Sequence, residues 1–183
     1  MQVTKSGSSV TTLDIEDDIL VTGSSDGCVQ VYNLETGQVV ERLSQCSSMV
    51  YQVRIVQRRI LITMGTKVTV HKLYKDTVSR LTSKLTHVLT GHSRDTLCVD
   101  LEDDTVVSGG LDTNVLVYTL GADNEYQVVQ TMTGHKLKVR CVRLVGEYCV
   151  SGSWDRCALL WSIVSGHCIR TLKHEMQVMI TQK

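Results

Sequence analysis

An all-β fold made of tandem sheet units is predicted by three features of this 183-residue chain. It repeats itself every 43 residues, its apolar side chains alternate with polar ones along short runs, and Gly, Ser and Asp separate those runs. No helix is predicted. The chain carries 19 basic and 19 acidic side chains, 13 Gly, no Pro and no Phe, a composition that suits an ordinary soluble domain. Zero formal charge argues against a dedicated nucleic-acid or membrane-surface binder, which would show a basic excess. The opening MQVTKSGSSV lacks the apolar stretch of a signal peptide, and no segment approaches the roughly 18 apolar residues of a membrane span. A cytoplasmic or nuclear location is expected. Seven cysteines, an odd number with no C-x-x-C pair and no N-x-S/T sequon beside them, read as reduced thiols.

The repeat defines the units. A shift of 43 carries Gly91-His92 onto Gly134-His135, Cys98 onto Cys141, Ser108-Gly109 onto Ser151-Gly152, Asp112 onto Asp155 and Tyr118 onto Trp161. A shift of 86 lays residues 13–34 over 99–120, with Asp14 on Asp100 and Asp26 on Asp112. Four units follow, at about 5–43, 44–85, 86–133 and 134–172, with 173–183 starting a further one. Unit one offers the runs VTTLDI, DILVTGS, CVQVYNL and QVVERL. Unit two keeps Ile60-Leu61-Ile62-Thr63, but its Val68-Thr69-Val70 comes two residues early and its turn has no Asp, so its central hairpin is expected to be weakened. Units three and four repeat unit one's pattern most fully. A four-stranded antiparallel sheet with two apolar faces must stack on another copy, and four strands per 40 to 45 residues fit a β-propeller blade.

The residues of units three and four resemble those of WD-repeat propellers. Gly134-His135, Ser151-Gly152-Ser153, Asp155 and Trp161 fill the places of that family's Gly-His, strand-end Ser-Gly-Ser, turn Asp and third-strand Trp. The literal Trp154-Asp155 is not the signature dipeptide, because the period aligns Trp154 with Leu111 and Ser25 in the turn. The resemblance implies a buried network of His135, Ser151, Asp155 and Trp161 in unit four. In unit three it implies His92, Ser108 and Asp112 with Tyr118 in place of Trp, and in unit one an incomplete set of Thr22, Asp26 and Tyr32. Unit two keeps almost none of it, and stability is expected to decline in the order four, three, one, two.

The phrase Val139-Arg140-Cys141 is similar to that of F-box/WD-repeat substrate receptors of ubiquitin ligases. The family engages partners mostly through one rim, so the resemblance implies contacts at Thr11, Ser25, Leu97, Leu111, Arg140 and Trp154. The implied partners are other proteins or peptides, including phosphorylated ones, although several arginines of a phosphate pocket are not present. The function implied is a non-catalytic interaction scaffold, either the substrate-recruiting propeller of a ligase adaptor or a general assembly scaffold in signalling, trafficking or RNA processing.

Met1-Gln2-Val3-Thr4 resembles the strand ending His87-Val88-Leu89-Thr90, so both ends read as cut within units. A partial propeller is expected, a truncated product, isoform or fragment whose other blades are missing; a strained four-bladed ring and a second copy that completes an eight-bladed one are the alternatives. Three chemical readings have plainer explanations. Gly23-Ser24-Ser25-Asp26-Gly27 fits the letters of G-x-S-x-G, yet that nucleophile turn must lead into a helix, and strands flank it here. The His, Ser and Asp of each unit mimic a hydrolase triad but recur with the period, which marks them as framework. Cys141, Cys149 and Cys157 with His135 lack the close pairs of a structural zinc site, so no metal and no cofactor are expected. Residues 51–90 hold eight Lys or Arg against Asp76 alone, a basic sector that reads as a solvated edge.

Overall fold

The computed structural model describes residues 8–43, 48–75 and 81–174. The readings placed on residues 1–7 and on 175–183, where the chain opens and where a further unit would continue, lie outside them. The described residues form four antiparallel four-stranded sheets, each a simple up-and-down meander in chain order. The first sheet holds β1 (Val10–Glu16), β2 (Ile19–Ser24), β3 (Val29–Asn33) and β4 (Val39–Leu43). The second holds β5 (Val50–Val56), β6 (Arg59–Met64), β7 (Lys67–Lys75) and β8 (Leu81–Leu89). The third holds β9 (Thr96–Glu102), β10 (Thr105–Gly110), β11 (Val115–Leu120) and β12 (Tyr126–Met132). The fourth holds β13 (Val139–Val145), β14 (Tyr148–Ser153), β15 (Cys157–Ser162) and β16 (Cys168–Lys173). Lys173 therefore closes the fourth sheet.

Two-residue turns join the first two strands of every sheet, and their backbone needs positive φ to match strand twist. Asp17, Gln57, Arg58, Asp103 and Gly146 supply it. Gln57 and Arg58 adopt it without glycine's freedom, and Glu16 of the preceding sheet holds them by accepting both of their N–H groups, at 2.5 and 2.8 Å. Glu102 does the same for the Gly146 N–H at 2.8 Å.

Successive sheets pack face to face with their first strands, β1, β5, β9 and β13, in contact along one line. Apolar side chains fill the three interfaces. Val21, Val31, Ile60 and Ile62 lie between the first and second sheets, Leu61, Val70, Val99 and Leu116 between the second and third, and Val107, Val117, Leu144 and Trp161 between the third and fourth. Each such side chain contributes roughly 1.5–3 kcal/mol on burial. Close approach at two interfaces depends on glycine. A Cβ on Gly23 would lie 2.5 Å from Val50 Cγ1, and one on Gly109 would lie 2.5 Å from Val139 Cγ1.

The first strands also carry alternating charge across the stack. Arg54 of the second sheet sits between Asp14 and Asp100, at 2.9 Å from each. Asp100 also meets Arg143 of the fourth sheet at 3.4 Å. Burial opposes the charge on Arg54, and Asp100 and Asp14 together outweigh it. The Asp14 and Asp100 carboxylates further accept the N–H groups of Ile55 and Leu144 in the following sheets, both at 2.9 Å.

The weakened hairpin expected in unit two is corrected by its geometry. The sheet is complete, with β6 and β7 paired from Arg59–Lys72 through Met64–Lys67. Pairing puts Thr63 in the place of Gly23 and Val68 in that of Val29, so the connection through the turn Gly65-Thr66 is one residue shorter than in the first sheet, and the rest of the offset is a one-residue slip between the two second strands. Gly65 takes the positive φ that so short a turn demands.

Candidate interaction surface

Up-and-down order brings two sets of connections to the same end of the stack. One set is the turns between second and third strands, at 25–28, 65–66, 111–114 and 154–156. The other is the loops that lead into the first strands, including 90–95 and 133–138. Backbone hydrogen bonds tie the sets together: Leu111 N–H donates to Asp95 O at 2.8 Å, and Trp154 N–H to Lys138 O at 3.2 Å.

Beneath this rim the fourth sheet brings His135, Ser151, Asp155 and Trp161 into one connected group. His135 Nδ1 lies 2.8 Å from Asp155 Oδ2. A carboxylate only accepts, so Nδ1 carries the proton and Nε2 is left as an acceptor. The Ser151 hydroxyl, 2.7 Å away, fills that need while its oxygen accepts the Trp161 indole N–H at 2.7 Å. The Asp155 carboxylate also accepts the N–H groups of Lys136 and Cys157 at 2.8 and 2.9 Å. Partial burial pushes the Asp155 carboxyl up, but these N–H groups and His135 outweigh it and hold it below the usual carboxylate range. The Asp155 carboxylate thus ties the loop through Lys136 to the turn after Trp154, and the Ser151 hydroxyl holds the histidine that bonds it. Ser151 is fully buried, which leaves no approach for a substrate carbonyl.

The third sheet brings together His92, Asp112 and Ser108, with His92 Nδ1 2.9 Å from Asp112 and Nε2 2.8 Å from Ser108 Oγ. Tyr118 is buried where the fourth sheet has Trp161; burial raises its phenol pKa, and a hydrogen bond with Ser108 opposes the rise. In the first sheet the three residues stay apart. Asp26 bonds Ser24 and the Cys28 N–H, Tyr32 bonds Gln30, and Thr22 bonds neither. The loop that would supply a histidine falls at residues 5 and 6, outside the described residues, where the sequence has Lys5-Ser6.

The rim residues fall into two groups. Trp154 is 62% exposed, and the Lys138 ammonium stands 3.3 Å over its ring, a favourable cation–π geometry. Arg140 is exposed on the same strand entry, close enough to Tyr51 for its charge to oppose the upward shift that the Asp95 hydrogen bond imposes on that phenol. Leu111 and Ser25 are half-buried; the Ser25 hydroxyl accepts the Ser9 N–H at 3.0 Å, in a turn between two strands. The Thr11 hydroxyl donates into the stack, lying 2.7 Å from Val50 O. Leu97 is 4% exposed, which corrects its place as a contact. Its strand has a sheet on either side, whereas Thr11 and Arg140 stand on the two end sheets. Sequence reading missed Lys138 and Tyr51. Lys138 belongs to a loop whose pairing with the turn is tertiary, and Tyr51 belongs to the unit that lacks the motif.

Burial raises the Cys98 thiol far above its ordinary pKa and pushes that of Cys149 up to about 12, so both act as small apolar fillers. No group of three or more His, Cys, Asp or Glu side chains among the described residues converges as metal ligands. No helix among them is long and apolar enough to cross a membrane. In the basic sector, Arg54 pairs with Asp14 and Asp100, and Arg59 with Asp104.

The WD domain, G-beta repeat family matches residues 2–33, 83–119 and 126–162, together more than half of the chain. The chain belongs to the WD-repeat family. The unmatched stretch 34–82 holds most of the second sheet, whose turn Gly65-Thr66 has no Asp. Among solved structures, the chain is similar to the computationally designed Ika8 protein, with 23% identity and a TM-score of 0.77 over 91% of this chain and 49% of that one. It is also similar to the computationally designed Ika4 protein, with 23% identity and a TM-score of 0.74 over 88% of this chain and 96% of that one. The chain thus spans about half the length of the Ika8 protein. No curated protein matches its sequence.

Proposed function

We propose that this WD-repeat chain is a non-catalytic scaffold of the cytoplasm or nucleus that holds partner proteins at the rim around Trp154, Lys138 and Arg140. The observation that carries the reading is Trp154: a large aromatic side chain 62% exposed, on a turn anchored by buried hydrogen bonds, costs little further entropy to engage. Interface energy concentrates in such Trp and Arg side chains. Lys136, Lys138 and Arg140 follow one another at alternate positions, so the rim favours an acidic or phosphorylated segment, with Leu111, Ser25 and Thr11 as flanking contacts. WD-repeat domains generally serve protein association, which agrees with this use of the rim.

A finer reading is that of a substrate-recruiting arm of a ubiquitin ligase. It rests on Val139-Arg140-Cys141, whose arginine stands exposed at the rim. Affinity capture with the wild-type chain and with Trp154→Ala, followed by mass spectrometry, tests both readings. A set of proteins held by the wild type and lost from the variant is expected, and ligase subunits within that set would support the finer version. Equal capture by both chains refutes the rim as the binding surface.

A further inference from the structure

Among the described residues, the two ends of the stack carry unused halves of contacts that its interior makes in full. At the first-to-second and third-to-fourth interfaces, a strand glycine receives the valine that opens the next sheet: Gly23 takes Val50, and Gly109 takes Val139. The fourth sheet has the same glycine, Gly152, where a Cβ would meet only the Cys141 sulfur of its own sheet. The first sheet opens with the corresponding valine, Val10, which is 64% exposed. Cys141 is exposed, whereas its counterpart Cys98 has its sulfur 3.8 Å from Val139 O of the following sheet.

Charge repeats the pattern. Asp100 has an arginine on each side, Arg54 and Arg143, both reaching Oδ1. Asp14 uses only Oδ2, toward Arg54 and the Ile55 N–H, and among the described residues nothing reaches its Oδ1. Arg143 meets Asp100 on one side and is 61% exposed. The sequence Asp14, Arg54, Asp100, Arg143 ends on a cation at one face and begins on an anion at the other. Apolar side chains surround both ends, with Leu13 and Ile15 exposed beside Asp14 and Val145, Tyr148 and Val150 beside Arg143.

We propose that a second copy of this chain occupies these faces, so that two arcs join through two identical seams. In each seam the Val10 of one copy enters the space over Gly152 of the other, and Arg143 pairs with Asp14. The two-fold relation makes each face serve once, which closes the assembly instead of extending it. Strict alternation of charge also requires an even number of sheets, which two copies of the four described sheets provide. The overlay of one arc on about half of the Ika8 fold leaves room for a second of equal length. This inference is independent of what the rim engages.

The test is the mass of the chain in solution, by sedimentation or light scattering. A species of twice the 20.4 kDa chain mass is expected. Arg143→Ala and Val10→Lys alter exposed side chains, so each should keep the β-sheet spectrum while weakening dimerisation about tenfold or more. A Val10→Cys chain supplies a second reading that does not depend on stability. Mild oxidation should link it to Cys141 of another copy, located by peptide mapping. A monomer at all concentrations, an open-ended polymer, or cross-links that avoid the 10–141 pair would each overturn the proposal.

Discussion

The second and fourth sheets have the same four strands and reach order by different means. In the fourth, the buried hydroxyl at the centre of the second strand, Ser151, joins Trp161 to His135, and through His135 to Asp155. In the second, the residue at that place is Ile62, paired with Val53 as Ser151 is with Val142; the buried hydroxyl lies one residue on, at Thr63 in the place of Gly152, and serves only Gln52 of the adjacent strand, accepting that N–H at 2.8 Å. What the second sheet lacks in polar connection it supplies in apolar area. Ile60 and Ile62 face the first sheet while Leu61, Val68 and Val70 face the third, so both sides are sealed by neighbours. Among the described residues the fourth sheet has a neighbour on one side only. The third sheet has neighbours on both faces and still holds its own group of His92, Ser108 and Asp112, so the polar group serves the loops above it and does not depend on an open face.

The largest effect should follow Trp161→Ala, which removes a fully buried side chain and the donor to Ser151; we expect a loss of about 4 kcal/mol, read as an early melting of the fourth sheet. Ile62→Ala should cost about 3 kcal/mol and should loosen the first and second sheets together, because that side chain lies between them. Comparable losses with interchanged locations, as seen by hydrogen exchange, would contradict the division. Next comes Ser151→Ala, which strands the Trp161 N–H and leaves His135 Nε2 without its donor, at about 2 kcal/mol. Thr63→Val deprives only Gln52, and about 1 kcal/mol is expected. If the two hydroxyl deletions cost the same, the wider reach of Ser151 contributes nothing.

Sequence alone revealed the units because the polar network recurs with the period: His92, Ser108 and Asp112 fall on His135, Ser151 and Asp155. The second sheet was half visible. Its strands followed from alternation, but its shorter turn and the slip of its second strand moved them out of register with the other units. The row of alternating charge was hidden for a different reason. Self-comparison matches like with like, so Asp14 fell on Asp100 while Arg54 and Arg143, opposite in sign, matched neither. Of the rim, Trp154 and Arg140 were legible and Lys138 was not, since only the folded loop brings its ammonium over the ring. The burial of Leu97 depends on having sheets on both sides, a property of its place in the stack that its own strand does not encode.

The smallest effect concerns pH. Asp155 is held below the ordinary carboxylate value, so its contribution to stability is complete above the unfolded value, about pH 4, and fades as the pH falls through the lower folded value. An Asp155→Asn chain should therefore melt earlier than the wild type at neutral pH, with the gap closing in acid. The second sheet has no carboxylate in the corresponding turn and should show no such change in its exchange rates.

The buried group of the fourth sheet positions the surface above it. Hydrogen–deuterium exchange of the wild type and Ser151→Ala measures this most directly. Faster exchange is predicted at Lys136, Trp154 and Cys157 together, whose N–H groups bond Asp155 or Lys138, with the second sheet unchanged. Unaltered protection at those three amides would show that the rim holds its shape without the network.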